Sequence, residues 1–166
     1  MASRLNRLLL GGLFLTVLAF APAIARAQDP AATPDPFAGV TTVVLAGGPS
    51  AVTDGYALVL LQITMAPGAE TPSHHHPGDV SLAVQSGTFS TSFTNGTGTI
   101  TRAAKPGEDP VTEEAATGVE QLLTAGDSLA YGEGSHHIMA NGGDDDLVLI
   151  ISALLKADQP GFEFTE

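Results

Sequence analysis

The most constraining feature of this sequence is a succession, from position 40 onward, of short runs rich in β-branched and aromatic residues, separated by turn-forming residues. Such runs form β-strands, and their close spacing is typical of a sandwich or barrel. No stretch combines the apolar period of an amphipathic helix with capping residues. The 19 glycines and 11 prolines suit a chain that turns often. We therefore predict an all-β fold.

Several strands can be placed individually. Residues 40–46 are predicted as a strand that ends at the Gly-Gly-Pro sequence of 47–49, and a second strand is predicted over Tyr56–Met65. Residues 147–155 are almost continuously apolar. That pattern predicts a central strand covered on both faces, or a buried helix, and the β-branched members favour the strand.

A hairpin is predicted in the middle of the chain. Residues 80–86 and 88–94 have strand composition, and the pair Asn95-Gly96 follows them. Asn-Gly tolerates the positive φ angles of a tight primed turn, so residues 98–102 are predicted as the return strand of the hairpin. The long interruption that follows, 103–118, is predicted to be an exposed acidic loop, with a lid over a pocket mouth as the alternative.

The first segment has the three-part layout of a secretory signal peptide. Arg4 and Arg7 precede an apolar run at 8–20, and small residues in an A-x-A arrangement end at Ala27. An uncleaved membrane anchor is the alternative, but the run is shorter than the roughly 20 residues that span a bilayer. Residues 1–27 are therefore predicted to be removed, and the mature protein to be periplasmic or extracellular.

Composition excludes one class of partner. Six basic residues stand against 18 acidic ones, for a formal net charge of −12. Such a surface repels phosphate backbones and anionic membranes, so we expect no nucleic-acid partner, and no membrane span after signal cleavage. Cysteine is absent, which excludes disulfides, thiolate metal sites and cysteine nucleophiles.

All five histidines fall in two tight groups, 74–76 and 136–137. Side chains alternate faces along a strand, so His74 and His76 share a face while His75 points the other way. Two imidazoles on one face can chelate a divalent ion, and a third from another strand completes a set of three. His136 and His137 point to opposite faces, so only one of them can join.

The two groups lie within sequences that resemble the two cupin motifs. Residues 68–87 resemble the first, G-(x)5-H-x-H-(x)3-4-E-(x)6-G, with both terminal glycines and both histidines in register. Residues 126–141 resemble the second, G-(x)5-P-x-G-(x)2-H-(x)3-N, with Gly132 where the motif has proline. The resemblance covers roughly residues 56–155 and implies a single jelly-roll β-barrel. The domain is then expected over 40–158, after a proline-rich linker at 28–39 and before a C-terminal tail at 159–166.

The resemblance also implies a ligand set, with one departure. It carries the metal ligands onto His74, His76 and His137, but Val80 stands where the motif has its glutamate. The two carboxylates that could substitute for it are Glu70 and Asp79. His75 and His136 are expected to face solvent or to orient a ligand by hydrogen bonding.

Three neutral ligands leave the ion its full charge and an open position. Iron, manganese, zinc, nickel and copper all accept such ligands, and the spacing does not choose among these divalent transition metals. Strand parity predicts that apolar side chains surround the ion, which suits a small organic ligand. The predicted pocket-lining residues are Val80, Leu82, Val84 and Met139.

Two functional hypotheses remain open. The first is a metal-dependent enzyme acting on a small organic molecule, either an oxidoreductase of the dioxygenase type or an isomerase, as the family resemblance implies. The second is a non-catalytic module of the cell envelope that binds or senses a small ligand or a metal. A homodimer paired through sheets is a further expectation, since cupins often associate in this way.

Overall fold

The computed structural model describes residues 35–165, so the predicted signal peptide lies outside the described part. Within that part every regular element is a strand, which confirms the all-β fold class. No described helix is long and apolar enough to cross a membrane. In chain order the strands are β1 Val40–Pro49, β2 Tyr56–Met65, β3 His74–His75, β4 Gly78–Ser86, β5 Thr88–Asn95, β6 Gly98–Thr101, β7 Thr112–Ala115, β8 Glu120–Thr124, β9 Ser128–Tyr131, β10 His136–Asn141, β11 Leu147–Lys156 and β12 Glu163–Phe164.

The strands form two antiparallel sheets. The larger has the order β1-β2-β11-β4-β9-β6-β7, and the smaller has the order β12-β3-β10-β5-β8. Strands consecutive in sequence therefore often lie in different sheets, as β4 and β5 do, and as β9 and β10 do. Such alternation between two facing sheets is the arrangement of a jelly roll.

The core lies between the sheets and follows from strand alternation. Along β4 the buried residues are Val80, Leu82 and Val84, with exposed residues between them. The smaller sheet contributes the fully buried rings of Phe89 and Phe93. Each fully buried side chain of this size stabilises the fold by about 1.5–3 kcal/mol before the loss of conformational entropy is subtracted.

The predicted hairpin at Asn95-Gly96 is wrong. The strands before and after it, β5 and β6, belong to different sheets and do not pair. Of the two residues Asn95 and Gly96, Gly96 alone has positive φ, at 74°. A primed hairpin turn of type I′ needs positive φ at both central residues. The chain instead crosses between sheets, and a Cβ on Gly98 would lie 2.8 Å from Leu129 and 2.9 Å from Phe93.

Two other strand predictions need adjustment. The first strand does not end at Ala46 but continues through the Gly-Gly-Pro sequence to Pro49, with a bulge between Val44 and Ala46. It is an edge strand with no neighbouring strand on one side, so a proline at its end, which lacks a backbone N–H, costs no hydrogen bond on that side. The predicted central strand β11 does lie between β2 and β4. Its outer face is only partly covered, because Val148 and Ile150 are half-buried there and Ser152 is exposed.

The segment 103–118 and the C-terminal tail also differ from expectation. The segment contains the edge strand β7, which pairs with β6, and its other residues are mostly exposed. None of its residues lines the apolar cavity bordered by His74 and His76, so it is not a lid over that cavity. The tail at 159–166 contributes β12, which pairs with β3 and so joins the smaller sheet.

Candidate metal centre

The structure brings together the three histidines that the sequence singled out. His74 lies in β3 directly opposite His137 in β10, and His76 follows at the end of β3. One ring nitrogen from each of the three lies within 4.8 Å of the others. This spacing allows three nitrogens to surround one ion at bond lengths of about 2.0–2.1 Å after small side-chain rotations.

Backbone carbonyls fix the orientation of two of the rings. Nδ1–H of His74 donates to the Pro72 carbonyl at 2.9 Å, and Nδ1–H of His76 donates to the Gly161 carbonyl at 2.7 Å. A carbonyl can only accept, so the proton sits on Nδ1 and the lone pair on Nε2. This tautomer, held by a backbone oxygen, is the arrangement found around protein-bound metal ions.

The third ring, His137, is the most buried of the three. Its side chain is fully enclosed, and its Nε2 lies 3.1 Å from the Tyr131 hydroxyl. Its Nδ1 is buried and forms no hydrogen bond of good geometry. Burial lowers the pKa of the ring, and the nearby Ser135 backbone opposes this lowering only in part. An imidazole with such an unsatisfied nitrogen is costly in a folded protein and calls for a functional explanation.

Burial keeps all three imidazoles neutral. Desolvation lowers the pKa of His76 to about 4, outweighing the Gly161 carbonyl, which raises it. Desolvation, reinforced by the neighbouring histidines, lowers the pKa of His137 to about 2. Desolvation by burial also lowers the pKa of His74. Neutral imidazole is the form that binds a metal ion, so the three side chains need not lose protons near pH 7.

An apolar cavity of about 200 Å³ adjoins His74 and His76. Val80 and Met139, two of the four predicted pocket-lining residues, lie in its wall. Leu82 and Val84 do not, because they lie further along β4 and are buried in the core. The remaining lining residues are Phe37, Val40, Thr42, Val59, Leu61, Ile63, Met65, Thr71, Tyr131, Ile151, Ala153, Leu155, Gly161 and Phe162.

The two carboxylates considered as substitute ligands are not part of the cluster. Glu70 is exposed and forms an isolated bridge with Ala140. Asp79 is exposed on the outer face of the larger sheet, where its carboxylate approaches Gly132. Strand alternation explains this placement, since Asp79 and Val80 must point to opposite faces of β4.

His75 and His136 form a separate pair. Their rings stack at a centroid distance of 4.9 Å with an interplanar angle of 20°. Nε2 of His75 lies 3.7 Å from the Glu163 carboxylate. Both residues alternate with the clustered histidines on β3 and β10, so they occupy the opposite face of the smaller sheet and do not contact an ion held by the cluster.

Sequence reasoning missed Tyr131. Its ring is buried between His137, at 4.6 Å between centroids, and Phe93, at 5.6 Å. Burial raises the pKa of its hydroxyl, which therefore carries its proton at neutral pH. A signal was available: Leu129 and Tyr131 alternate with smaller residues on β9, which predicts that both face the interior.

The sequence also gave no role to three phenylalanines outside the predicted domain. Phe37, from the predicted linker, packs edge-to-face on Phe162 at 5.3 Å between ring centroids. Phe164 packs against both, and Phe162 also lies 6.0 Å from the ring of His74. Residues near the two ends of the described chain therefore complete the wall of the cavity.

Solved structures match this fold, while no protein-family model and no curated protein sequence matches the chain. A chain from the crystal structures of the DMSP lyases RdDddP and RnDddQII has a TM-score of 0.52 at 16% identity, covering 76% of this chain and 53% of that one. This protein thus spans about half of that lyase chain. An uncharacterized conserved protein with a double-stranded β-helix domain from Klebsiella pneumoniae subsp. pneumoniae MGH 78578 has a TM-score of 0.50 at 21% sequence identity. The match covers 81% of this chain and 90% of that one.

A cupin 2 conserved barrel domain protein from Leptotrichia buccalis gives a TM-score of 0.47 at 13% identity, covering 69% of this chain and 40% of that one. Sequence identities this low support a shared fold and give no evidence of a shared activity. The two stronger matches agree with the two antiparallel sheets and with the positions of both histidine motifs within them. The chain has the double-stranded β-helix fold of the cupins.

Proposed function

We propose that this protein is a metal-dependent enzyme that acts on a small, largely apolar organic molecule, with dioxygenase or isomerase chemistry. One observation carries the proposal: three neutral imidazoles converge within 4.8 Å beside an apolar cavity of about 200 Å³. A cluster of titratable groups with strongly shifted pKa values next to a concave apolar pocket is the usual signature of an active site.

The residues present fit a divalent transition metal. His74 and His76 hold their Nδ1 protons on backbone carbonyls and keep Nε2 free, and a ring nitrogen of His137 lies within 4.8 Å of a ring nitrogen of each. These three residues would hold the ion. A bound ion would supply Lewis acidity and, if it were iron, manganese or copper, a redox couple.

The cavity constrains the substrate. An engineered apolar cavity of about 150 Å³ holds a benzene molecule, so a cavity of about 200 Å³ suits one small ring with a few substituents. The described lining contains no lysine, arginine, aspartate or glutamate. An anionic group on the substrate could therefore be balanced only at the histidine cluster, and the rest of the molecule must be apolar.

The lack of a carboxylate in the described lining also favours a second candidate, a binding or sensing module that catalyses nothing. Proton transfer in many enzymes uses a buried carboxylate as general base, and this wall offers none. The two candidates share the same metal centre and differ only in turnover.

Metal content tests the proposal first. The protein is purified without an affinity tag that binds metal, reconstituted separately with Fe²⁺, Mn²⁺, Zn²⁺, Ni²⁺ and Cu²⁺, and analysed for bound metal. We expect about one equivalent in the native protein and a loss of most of it in His76→Ala. A content below a tenth of an equivalent for every ion would refute the metal centre. His75→Ala, on the opposite face, serves as the matched control.

Turnover then separates the two candidates. Oxygen uptake is measured for the loaded protein across a panel of small phenols, diketones and thiols, with product analysis to detect isomerisation. DMSP joins the panel because one fold neighbour is a DMSP lyase. Turnover that disappears in His76→Ala supports the enzyme. Saturable binding of a panel member without any product supports the binding module.

A further inference from the structure

The predicted metal centre lacks the oxygen ligand that the cupin motif places at position 80. Three side chains in the described cavity wall carry oxygen: Thr42, Thr71 and Tyr131. Thr42 is exposed on the edge strand β1. The Thr71 hydroxyl is already committed, since it accepts from the Met139 amide at 3.1 Å and donates to the Met139 carbonyl at 3.4 Å. Tyr131 is the buried oxygen that remains.

The register of the larger sheet places Tyr131 where that oxygen is needed. Tyr131 on β9 is the direct cross-strand partner of Val80 on β4. Both side chains are buried and both line the cavity with His74 and His76. Side chains directly opposite each other in an antiparallel pair have Cβ atoms about 4.5–5.5 Å apart, so one can occupy space that the other leaves free.

The distance to the histidine cluster is compatible with a shared ion. Two atoms bound to one ion at about 2.0–2.1 Å, with tetrahedral or octahedral angles, lie about 2.9–3.4 Å apart. The Tyr131 hydroxyl oxygen lies 3.1 Å from Nε2 of His137. The Tyr131 ring is also 6.2 Å from the His76 ring, between centroids, so the phenol borders two of the three candidate ligands.

We propose that the Tyr131 hydroxyl oxygen is the fourth ligand of this metal centre and takes the place of the missing glutamate. The inference rests on the metal centre proposed above and adds a ligand that the cupin motifs do not contain. The same hydroxyl lies within hydrogen-bond distance of His137. An ion held through this oxygen would take the place of the hydroxyl proton, which would leave to solvent.

A spectroscopic test is unusually clean in this chain. Iron(III) bound to a tyrosine oxygen has a visible charge-transfer band, and thiolates, which also give such bands, are absent because the chain has no cysteine. The chain has two tyrosines, Tyr56 and Tyr131. The protein is loaded with Fe²⁺ without oxygen, bound iron is quantified, and the visible spectrum is recorded after oxidation in air.

We expect a visible band in the wild type and in Tyr56→Phe, and no band in Tyr131→Phe. Tyr56 lies at the start of β2 and is absent from the cavity wall, so Tyr56→Phe is the matched control. Zinc affinity, measured by chelator competition, should fall in Tyr131→Phe by at least the roughly 10–100-fold that loss of an outer-shell partner of a metal ligand costs. It should fall by less than about twofold in Tyr56→Phe.

The outcomes distinguish this inference from the proposed function. If the wild type binds no metal, both fail. If it binds one equivalent of iron(III) and remains without a band, the three-histidine centre stands and Tyr131 is not a ligand. If Tyr131→Phe does not fold, Tyr56→Phe still decides, because Tyr131 is then the one tyrosine in the chain and a band can arise from no other.

Discussion

The buried His137 imidazole is the residue on which the metal centre depends most. A fully enclosed ring with an unsatisfied nitrogen destabilises the fold by about 1–3 kcal/mol relative to a ring with both nitrogens paired. An ion held by the three imidazoles would bind the folded state, in which they converge, so binding and folding stability are expected to be coupled.

Metal binding is therefore expected to stabilise the protein. At a free metal concentration 100 times Kd, the free energy of unfolding should rise by about 2.7 kcal/mol, because the ion binds the folded state alone. Thermal unfolding with Zn²⁺ and then with EDTA measures the rise and its reversal. His137→Ala should abolish the shift and His136→Ala should preserve it. An equal shift in both variants would locate binding elsewhere.

Asp127 is a second residue with a testable energetic role. Burial by itself raises the pKa of its carboxyl, but hydrogen bonds from the Thr124 and Ala103 amides and from Arg102 outweigh burial and lower it. The distances are 2.9 Å, 2.8 Å and 3.1 Å. The carboxylate thereby ties β8 and β9 to the end of β6.

A lowered pKa makes this contribution pH-dependent. The stabilisation is fully present above the unfolded-state pKa of about 3.9 and is lost as pH falls through the folded-state value. Asp127→Asn should reduce the free energy of unfolding at pH 7 by about 1–3 kcal/mol. It should also flatten the decline of that free energy below about pH 4. Urea unfolding at each pH measures both. The exposed Asp109→Asn should behave as the wild type.

Among the elements, the short strand β12 connects the end of the chain to the metal centre. The segment before it supplies the Gly161 carbonyl that holds His76 and the Phe162 ring that lines the cavity. The strand itself contributes two residues to the smaller sheet, beside β3. The core between the two sheets is formed without it, so its loss should affect the site more than the fold.

Deletion of residues 159–166 is therefore expected to weaken Zn²⁺ binding by about tenfold or more, because His76 loses the acceptor that orients it. Circular dichroism should still show a β-rich protein. Glu163→Gln, which keeps the strand and removes only the charge near His75, should bind as the wild type does. Unchanged affinity in the truncated protein would show that the Gly161 contact is dispensable.

Strand β4 offers the reciprocal experiment at Val80. Because Val80 faces the cavity together with His74 and His76, Val80→Glu should place a carboxylate next to the candidate ligands. We expect tighter Zn²⁺ binding, by about tenfold or more, and a less stable metal-free protein, since a buried carboxylate without a partner is costly. Chelator competition and urea unfolding measure the two effects. Val84→Glu, buried away from the cavity, should lose stability without gaining affinity.

For the molecule as a whole, the expected route is export. The predicted signal peptide makes a definite prediction about the mature N-terminus, which should be Gln28 when the gene is expressed in a bacterium with a secretory pathway. Mass spectrometry of the protein from the periplasm or the medium identifies that terminus. Replacing Leu9 and Leu10 by arginine should keep the protein in the cytoplasm with its N-terminus intact. A cytoplasmic wild-type protein starting at residue 1 or 2 would contradict export.

The amino-acid sequence determined the local features of this protein. Alternation and turn residues placed most strands, and strand parity paired His74 with His76, since residues two apart on a strand share a face. The resemblance to the second cupin motif added His137. The tertiary structure alone decided which strands pair. It put β5 and β6 in different sheets, Tyr131 opposite Val80, and the Gly161 carbonyl on His76. These contacts join residues far apart in the chain, and their register is set by the packing of two whole sheets, which no local pattern encodes.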